Sequence, residues 1–194
     1  MNKHLINVSK RLTWILRHQL DKFFHDAEGY VKLSDIIITD TELFYGINDE
    51  KIQLIVNNDS KTRLSLKKYN GDTYIRANQG HSSGNLNDEK MLKPIIIPIN
   101  DCFHGTYERN LKFIKSYGLS RMKRKHIHIA ESEESKSGKR YNCNVKIYID
   151  MKLALEEGIK FYRSENGVIL TPGNNEGILH PKYFSKIELI NNRI

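Results

Sequence analysis

Asn70-Gly71 stands between two extended runs, Leu64–Tyr69 and Asp72–Ala77. An Asn-Gly pair in that setting is the strongest short-range signal for a β-hairpin, because the tight turn needs positive φ at both central residues. The register then follows from the turn. Leu66 pairs with Ile75, Leu64 with Ala77, and Arg63 with Asn78. Side chains alternate across a strand, so Leu64, Leu66, Ile75 and Ala77 share an apolar face. Arg63, Ser65, Lys67, Tyr74, Arg76 and Asn78 share the other. That face is basic, carries an aromatic ring and ends beside Gln79-Gly80-His81-Ser82. The plain alternative to a binding role is an ordinary solvated strand face, and a slip of one residue would exchange the two faces.

Helical spacing precedes the hairpin. Ser9 is expected to cap a helix running to about Leu20, with Leu12, Ile15, Leu16 and Leu20 as its apolar stripe. Arg17 and His18 lie off that stripe, where they face either solvent or a partner. Gly29 to Leu33 and a Ser34 cap follow, then a short apolar turn, Ile36 to Ile38. A further helix starts near Asn48 or Asp49 and ends near Asn57, with Ile52, Ile55 and Val56 inward. Helices closed by a hairpin predict a winged-helix module.

Ser82 to Lys90 is polar and turn-rich, so it reads as a linker, with the boundary near Lys93-Pro94. Residues 1–93 and 94–194 are thus expected to form separate lobes. In the second, Cys102 to Ala130 opens with an apolar run and the turn Phe103-His104-Gly105-Thr106. Thr106 is expected to cap a helix with Glu108 in its first turn and Leu111, Ile114 and Tyr117 at helical spacing. Gly118 suits a left-handed C-cap with Leu119 folding back. The basic run Arg121, Lys123, Arg124 and Lys125 feeds an alternating strand, His126 to Ala130. Backbone N–H groups, imidazoles, a hydroxyl and a fixed cation suit a ligand rich in phosphate and ribose. Glu131 to Arg140 reads as an exposed loop. Val145, Ile147 and Ile149 form a strand, Asp150 caps a short helix to Glu157, and further strands follow at Lys160 to Tyr162, Gly167 to Thr171 and Phe184 to Ile190. This half is a β-rich α+β domain without a GxGxxG fingerprint or a P-loop.

Composition narrows the class. The formal net charge of +8 on 194 residues favours a polyanionic partner such as nucleic acid, against the bland reading of a basic soluble protein. No apolar run is long enough to cross a bilayer, and no charged-then-apolar leader follows Met1. The two cysteines, Cys102 and Cys143, make no disulfide framework, so the cytoplasm is the expected compartment. Cys102, His104, His126, His128 and Cys143 raise the thought of zinc. There is no CxxC and the cysteines are far apart in sequence, so no metal is expected.

Several blocks together resemble the RNA 2′-phosphotransferase family, the Tpt1/KptA proteins. They are SKRLTWILRH at Ser9–His18, DSKTRL at Asp59–Leu64, IRANQGHS at Ile75–Ser82, HGT at His104–Thr106, GLSRMKRKHIHIA at Gly118–Ala130 and FYRSENGVILTPG at Phe161–Gly173. Leu64 departs from the family, which usually has an aromatic there. The resemblance implies an α+β protein with an amino-terminal winged-helix, RNA-binding lobe and a carboxy-terminal ADP-ribosyltransferase-type lobe that holds NAD as co-substrate. It implies NAD-dependent removal of an internal RNA 2′-phosphate. The phosphate attacks the nicotinamide-ribose C1″ and nicotinamide leaves. The ribose O2″ then attacks the phosphodiester of the ADP-ribosylated RNA, giving 2′-OH RNA and ADP-ribose 1″,2″-cyclic phosphate.

Carried onto these residues, Arg17, His18, Arg63 and Arg124 form the catalytic set. Arg17, His18 and Arg63 grip the RNA phosphates, and Arg124 serves the second step. His104 meets the adenosine ribose, His128 is the second histidine of the fold's triad, Gly105 offers its backbone to the nicotinamide amide, and Thr106 and Ser120 lie near the diphosphate. Asn166 belongs to the same cofactor set. Arg76, Asn78, His81 and Ser82 are expected to touch RNA. The partner is RNA with an internal 2′-phosphate, such as tRNA, with no membrane and a monomeric protein. The competing readings are an ADP-ribosyltransferase that stops after its first step, on a nucleic-acid terminal phosphate or a protein, and a non-catalytic winged-helix RNA binder.

Overall fold

The computed structural model describes residues 2–82, 86–135, 137–139 and 142–190. The chain divides into two compact units, Met1–Met91 and Leu92–Ile194. The class is mixed α and β.

In the first unit, α1 spans Lys3–His18 and is capped by Asn2, whose side chain accepts the Leu5 N–H at 2.9 Å. Ser9 is therefore not the cap. The buried stripe begins upstream with Leu5 and Val8, so burial extends the helix past Ser9, and the Ser9 carbonyl accepts from the Thr13 hydroxyl instead. A 3-10 turn, Leu20–Lys22, buries Leu20. Strand β1, Val31–Lys32, leads into α2, Leu33–Ile37, where Lys32 holds the cap position without a side-chain bond and Ser34 sits inside the helix. Helix α3, Asp49–Asn57, starts where expected, with Asn48 accepting the Lys51 N–H at 3.0 Å; Ile52 and Ile55 are buried and Val56 only half-buried.

Strands β2, Leu64–Tyr69, and β3, Asp72–Ala77, form the hairpin in the expected register, including Leu66 opposite Ile75 and Leu64 opposite Ala77. Asn70 and Gly71 both have positive φ, 49° and 83°. β3 is the central strand, because β1 pairs with its other edge. That placement changes the basic face. The turn Asp26 to Tyr30, just before β1, lies over it. Arg76 is buried, reaching Glu28 at 3.2 Å and stacking 4.7 Å from the Tyr30 ring centroid. Lys67 pairs with Asp26 and lies 4.2 Å from the same ring. Asn78 is buried too, accepting from the Ser65 hydroxyl and donating to the Thr62 carbonyl, each at 2.8 Å.

The expected linker is only partly described, since 83–85 lie outside the described residues. Its remainder is not a loose tether: Leu86 is buried, with its Cδ2 at 3.0 Å from where a Cβ on Gly29 would sit, and Asp88–Met91 forms helix α4. Lys93 and Pro94 fall inside strand β4, Lys93–Ile95.

In the second unit, β5, Phe103–Thr106, is followed by a 3-10 turn, Glu108–Asn110, helix α5, Leu111–Tyr117, and strands β6, Leu119–Ser120, and β7, Ile127–Ile129. Then come β8, Val145–Ile149, helix α6, Met151–Glu156, β9, Phe161–Arg163, β10, Ile169–Thr171, β11, Ile178–Leu179, and β12, Phe184–Leu189. The strands pair antiparallel in the orders β4-β9-β10-β7, β12-β8-β5 and β11-β6. A single bridge joins the larger sheets: Phe103 N–H donates to Ala130 O at 3.0 Å, and Ala130 N–H returns the bond at 2.8 Å. Ile127, Ile129, Val145, Ile147, Phe161 and Ile169 fill the core.

Asp150 caps α6 through the Leu153 N–H, as expected. Thr106 does not cap α5. It ends β5 with its hydroxyl accepting from Asn110 Nδ2 at 3.3 Å, while the Glu108 N–H goes to Asn144 Oδ1 at 3.0 Å. Tyr117 is exposed and stacks on Phe113 rather than entering the core. Gly118 has φ 93° but ψ −178°, so it ends the helix in a glycine-only region rather than a left-handed helical one. Glu131 to Arg140 is not simply solvated. Glu131 pairs with Arg163, Glu133 with Lys146, and Ser137 is buried; residues 136 and 140 lie outside the described set.

Candidate active site

In the first unit the segment Asn78 to Ser82 gathers the expected phosphate ligands. Asn78 N–H donates to the Arg63 carbonyl at 2.8 Å. Gly80, at φ 90°, leaves the space into which the Arg17 guanidinium fits; a Cβ there would lie 3.1 Å from Arg17 Nε. Ser82 N–H donates to the Arg17 carbonyl at 2.8 Å, and the Ser82 hydroxyl meets His18 Nδ1 at 2.8 Å. One strap thus runs past Arg63, Arg17 and His18 in turn. His18 is exposed and Arg17 half-buried.

Arg63 is aimed by Asp59. The Asp59 carboxylate accepts the Arg63 N–H at 2.7 Å, pairs with the guanidinium, and accepts the Lys61 N–H at 3.1 Å. Sequence reasoning missed this partner, although the acid stands four residues before the arginine. That spacing is usually read on helices, and here it closes a turn. Arg76 and Asn78, expected to touch RNA, are both buried within this unit. His81 is likewise buried, whereas Ser82 is exposed.

The first unit's polar face is electrostatically tied down. Burial raises the cost of charge on Asp26, but the Lys67 hydrogen bond and the N–H groups of Tyr30 and Glu28 outweigh it and hold the carboxyl below its usual range. Burial pushes the Tyr30 hydroxyl up, against the Arg76 charge beside it.

In the second unit the Phe103–Ala130 bridge brings the two histidine strands together. His104 Nδ1 lies 2.8 Å from the His128 carbonyl oxygen. A carbonyl only accepts, so Nδ1 carries a proton. Gly105 has a geometric role of its own. Cys102 and Thr106 carbonyls bond toward β8, and Phe103 bonds toward β7. By strand alternation the Gly105 N–H and C=O also point to the β7 edge, past the isolated bridge where pairing stops. A Cβ at Gly105 would meet Cys143 Sγ at 2.9 Å and Lys139 Cβ at 3.3 Å, so those two side chains fill that side of the strand.

Ser120 is exposed, and its hydroxyl accepts the Met122 N–H at 3.0 Å. Arg124 is exposed in the turn that feeds β7. Arg121 organises that turn: its N–H donates to Gly177 O at 2.9 Å, its side chain crosses Gly177, and its Nη1 donates to Arg124 O at 2.8 Å. Nothing in the pattern of the basic run distinguishes Arg121 from its neighbours. Asn166 sits in the β9–β10 turn with its Oδ1 accepting from Ser164 Oγ at 2.8 Å, beyond the Ile129 end of the β7–β10 pairing. Thr106, expected near a diphosphate, is buried, with its hydroxyl accepting from Asn110 Nδ2.

Among the described residues no group of His, Cys, Asp or Glu is placed to hold a metal ion. Burial pushes the Cys102 thiol up to about 12, so it stays protonated at neutral pH and is a poor metal ligand. His126 is buried against the Tyr162 ring. Among the described residues no helix is long and apolar enough to cross a membrane.

Comparison with known proteins agrees over most of the chain. Residues 3–173 match the model of the RNA 2′-phosphotransferase, Tpt1/KptA family. The tRNA 2′-phosphotransferase 1 of Mus musculus is 40% identical over 191 residues, covering 93% of this chain and 76% of that protein. The tRNA 2′-phosphotransferase 1 of Danio rerio is 36% identical over 195 residues, covering 94% of this chain and 85% of that protein. A relative from Schizosaccharomyces pombe is 38% identical over 199 residues, which cover 95% of this chain but 51% of the relative, so this chain spans about half that protein's length. The chain therefore belongs to the RNA 2′-phosphotransferase, Tpt1/KptA family, and is an enzyme of the transferase class.

Proposed function

We propose that this chain removes an internal 2′-phosphate from RNA, as at a tRNA splice junction, and transfers it to NAD, which enters as a second substrate. The observation that supports the proposal is the strap Asn78 to Ser82, whose backbone bonds the Arg63 and Arg17 carbonyls and whose Ser82 hydroxyl meets His18. Fixed cations beside an imidazole suit a phosphate and its neighbouring phosphodiester. A winged-helix reading of the first unit is supported by its order, α1-β1-α2-α3-β2-β3, with β2 and β3 as the wing. An ADP-ribosyltransferase-type reading of the second is supported by its paired antiparallel sheets, bridged beside His104 and His128.

The residues of the second unit suit NAD chemically. A carboxamide needs one donor and one acceptor, which the Gly105 backbone offers along a single strand edge. A ribose hydroxyl needs an acceptor, which His104 Nε2 offers when the ring is neutral. Ser120 and Asn166 supply polar contacts at the margins.

The chemistry asks little of a general base, because the 2′-phosphate is already an anion. Arg17, His18 and Arg63 suit the grip and orientation of that phosphate. The C1″–N bond breaks with its electron pair going to the pyridinium ring, which leaves as neutral nicotinamide. O2″ then attacks phosphorus, the bond from phosphorus to the RNA 2′ oxygen breaks, and the O2″ proton ends on that oxygen. His18 is suited to carry the proton, and Arg124 to stabilise the crowded phosphorane charge. Asn78 anchors the start of the strap through the Ser65 hydroxyl and the Thr62 carbonyl.

The test is incubation of the protein with NAD and an oligoribonucleotide bearing one internal 2′-phosphate, followed by product identification. The proposal requires 2′-OH RNA, nicotinamide and ADP-ribose 1″,2″-cyclic phosphate. ADP-ribosylated RNA as the final product would establish a transferase that stops after one step. RNA binding with no chemistry would leave a non-catalytic binder.

A further inference from the structure

Trp14 is the only tryptophan in the chain, and it lies on α1 away from the buried stripe of Leu12, Ile15 and Leu16, 43% exposed. Leaving the largest apolar side chain half in water is costly unless something covers it. Other exposed aromatics of this unit, Phe24 and Tyr45, have no ring or cation contact among those described. Trp14 is different. The Arg11 guanidinium lies 5.0 Å from its ring centroid, and Arg11 is itself held by Asp40, Nε to Oδ2 at 3.7 Å. On the other flank the His18 ring is 6.2 Å away, centroid to centroid, tilted by 55°.

Trp14 therefore stands one helical turn before His18 and Arg17, on the side of α1 that the phosphate strap reaches through Ser82. One turn is about 5.4 Å of rise, comparable to the offset between a nucleoside's 2′ substituent and its base. We propose that the Trp14 ring, braced by Arg11, is the stacking platform for a nucleobase next to the 2′-phosphate. This rests on the proposed RNA substrate and adds a binding subsite to it. Stacking uses a base's π-face and not its hydrogen-bonding edge, so the subsite takes any base and favours purines only modestly. A wide tolerance for sequence combined with tight hold on the phosphate is the expected behaviour.

Because Trp14 is the sole tryptophan, its fluorescence reports this site alone. The full chain is titrated, without NAD, with a 2′-phosphorylated trinucleotide and with the same molecule made abasic next to the phosphate. The base-containing probe quenches Trp14 and binds roughly tenfold more tightly than the abasic one. In the coupled reaction Trp14→Ala raises the KM for RNA about tenfold with kcat little changed, and Trp14→Phe restores most of the loss. Equal affinity for the two probes with no change in fluorescence would overturn the subsite. So would an equal loss in Trp14→Ala and Trp14→Phe that falls on kcat. Failure of the proposed reaction itself shows separately, as wild-type protein that leaves the 2′-phosphate in place with NAD present.

Discussion

The two units hold their candidate sites by different means. In the first, side-chain pairs add to the backbone bonds of the strap: Asp59 aims Arg63, Ser82 meets His18, and Glu28 with Tyr30 pins Arg76. In the second, backbone does most of the work. The Phe103–Ala130 bridge, the His128 carbonyl on His104, and the turn around Arg121 and Gly177 set the geometry. Side-chain networks lose function gradually when one member is changed. Backbone close approaches have no room to relax, so the same size of change costs stability first.

The sharpest way to break that comparison is at glycine. Gly118→Ala adds a Cβ 2.5 Å from Leu179 O at a φ of 93°. We expect a loss of about 2–4 kcal/mol in thermal or denaturant unfolding. Gly71→Ala, at φ 83° but with nothing within 4 Å, costs only about 1 kcal/mol. Similar losses at the two positions would show that close approach in the second unit is not what matters.

Asp59→Ala comes next. It frees the Arg63 guanidinium and strips acceptors from the Arg63 and Lys61 N–H groups. RNA dephosphorylation should fall at least tenfold, about 1.4 kcal/mol, while NAD affinity measured by calorimetry stays unchanged. A loss of NAD binding with an intact fold would contradict the separation of roles.

These contrasts also explain what could be read from residues alone. The hairpin register was legible because Asn70-Gly71 admits one turn geometry, and the Asp150 cap was legible because the apolar spacing begins right after it; the start near Asn48 or Asp49 was legible from Ile52, Ile55 and Val56. Ser9, Ser34 and Thr106 misled. A cap is defined by the N–H it meets, and the helix of Ser9 begins upstream at Leu5 and Val8. The burial of Arg76 was not legible, since its cover comes from Glu28 and Tyr30, far away in sequence. Gly105 likewise looked like a ligand contact only; its packing against Cys143 depends on a strand pairing that no local pattern announces.

Smaller effects sharpen the picture. The Asp26 carboxyl is held below its usual range, with Lys67 the chief favourable partner against burial. A depressed folded-state value means that its contribution is full above the unfolded value, near pH 4, and is lost as pH falls through the folded one. The pair is more than a third exposed, so we expect under about 1 kcal/mol. Asp26→Asn should flatten the acid limb of a stability–pH curve; an unchanged limb would show that Lys67 gives the carboxylate nothing. The smallest expected effect is none: EDTA should leave activity intact. Loss with EDTA and recovery with a divalent ion would require ligands outside those described.

The division of labour is tested most directly by one time course. Labelled 2′-phosphorylated RNA and NAD are incubated with wild type, Arg63→Ala and Arg124→Ala, and substrate, ADP-ribosylated RNA and 2′-OH product are resolved. On the proposed reading Arg63, whose carbonyl the strap bonds through Asn78 N–H, grips the RNA phosphate, so Arg63→Ala should consume substrate slowly without building up intermediate. Arg124 stands in the turn feeding β7, and its fork can hold two phosphate oxygens during the second attack. Arg124→Ala should therefore accumulate ADP-ribosylated RNA, with Arg124→Lys only partly restoring product. Slow consumption without intermediate in Arg124→Ala, or wild-type behaviour in either alanine variant, would contradict the account.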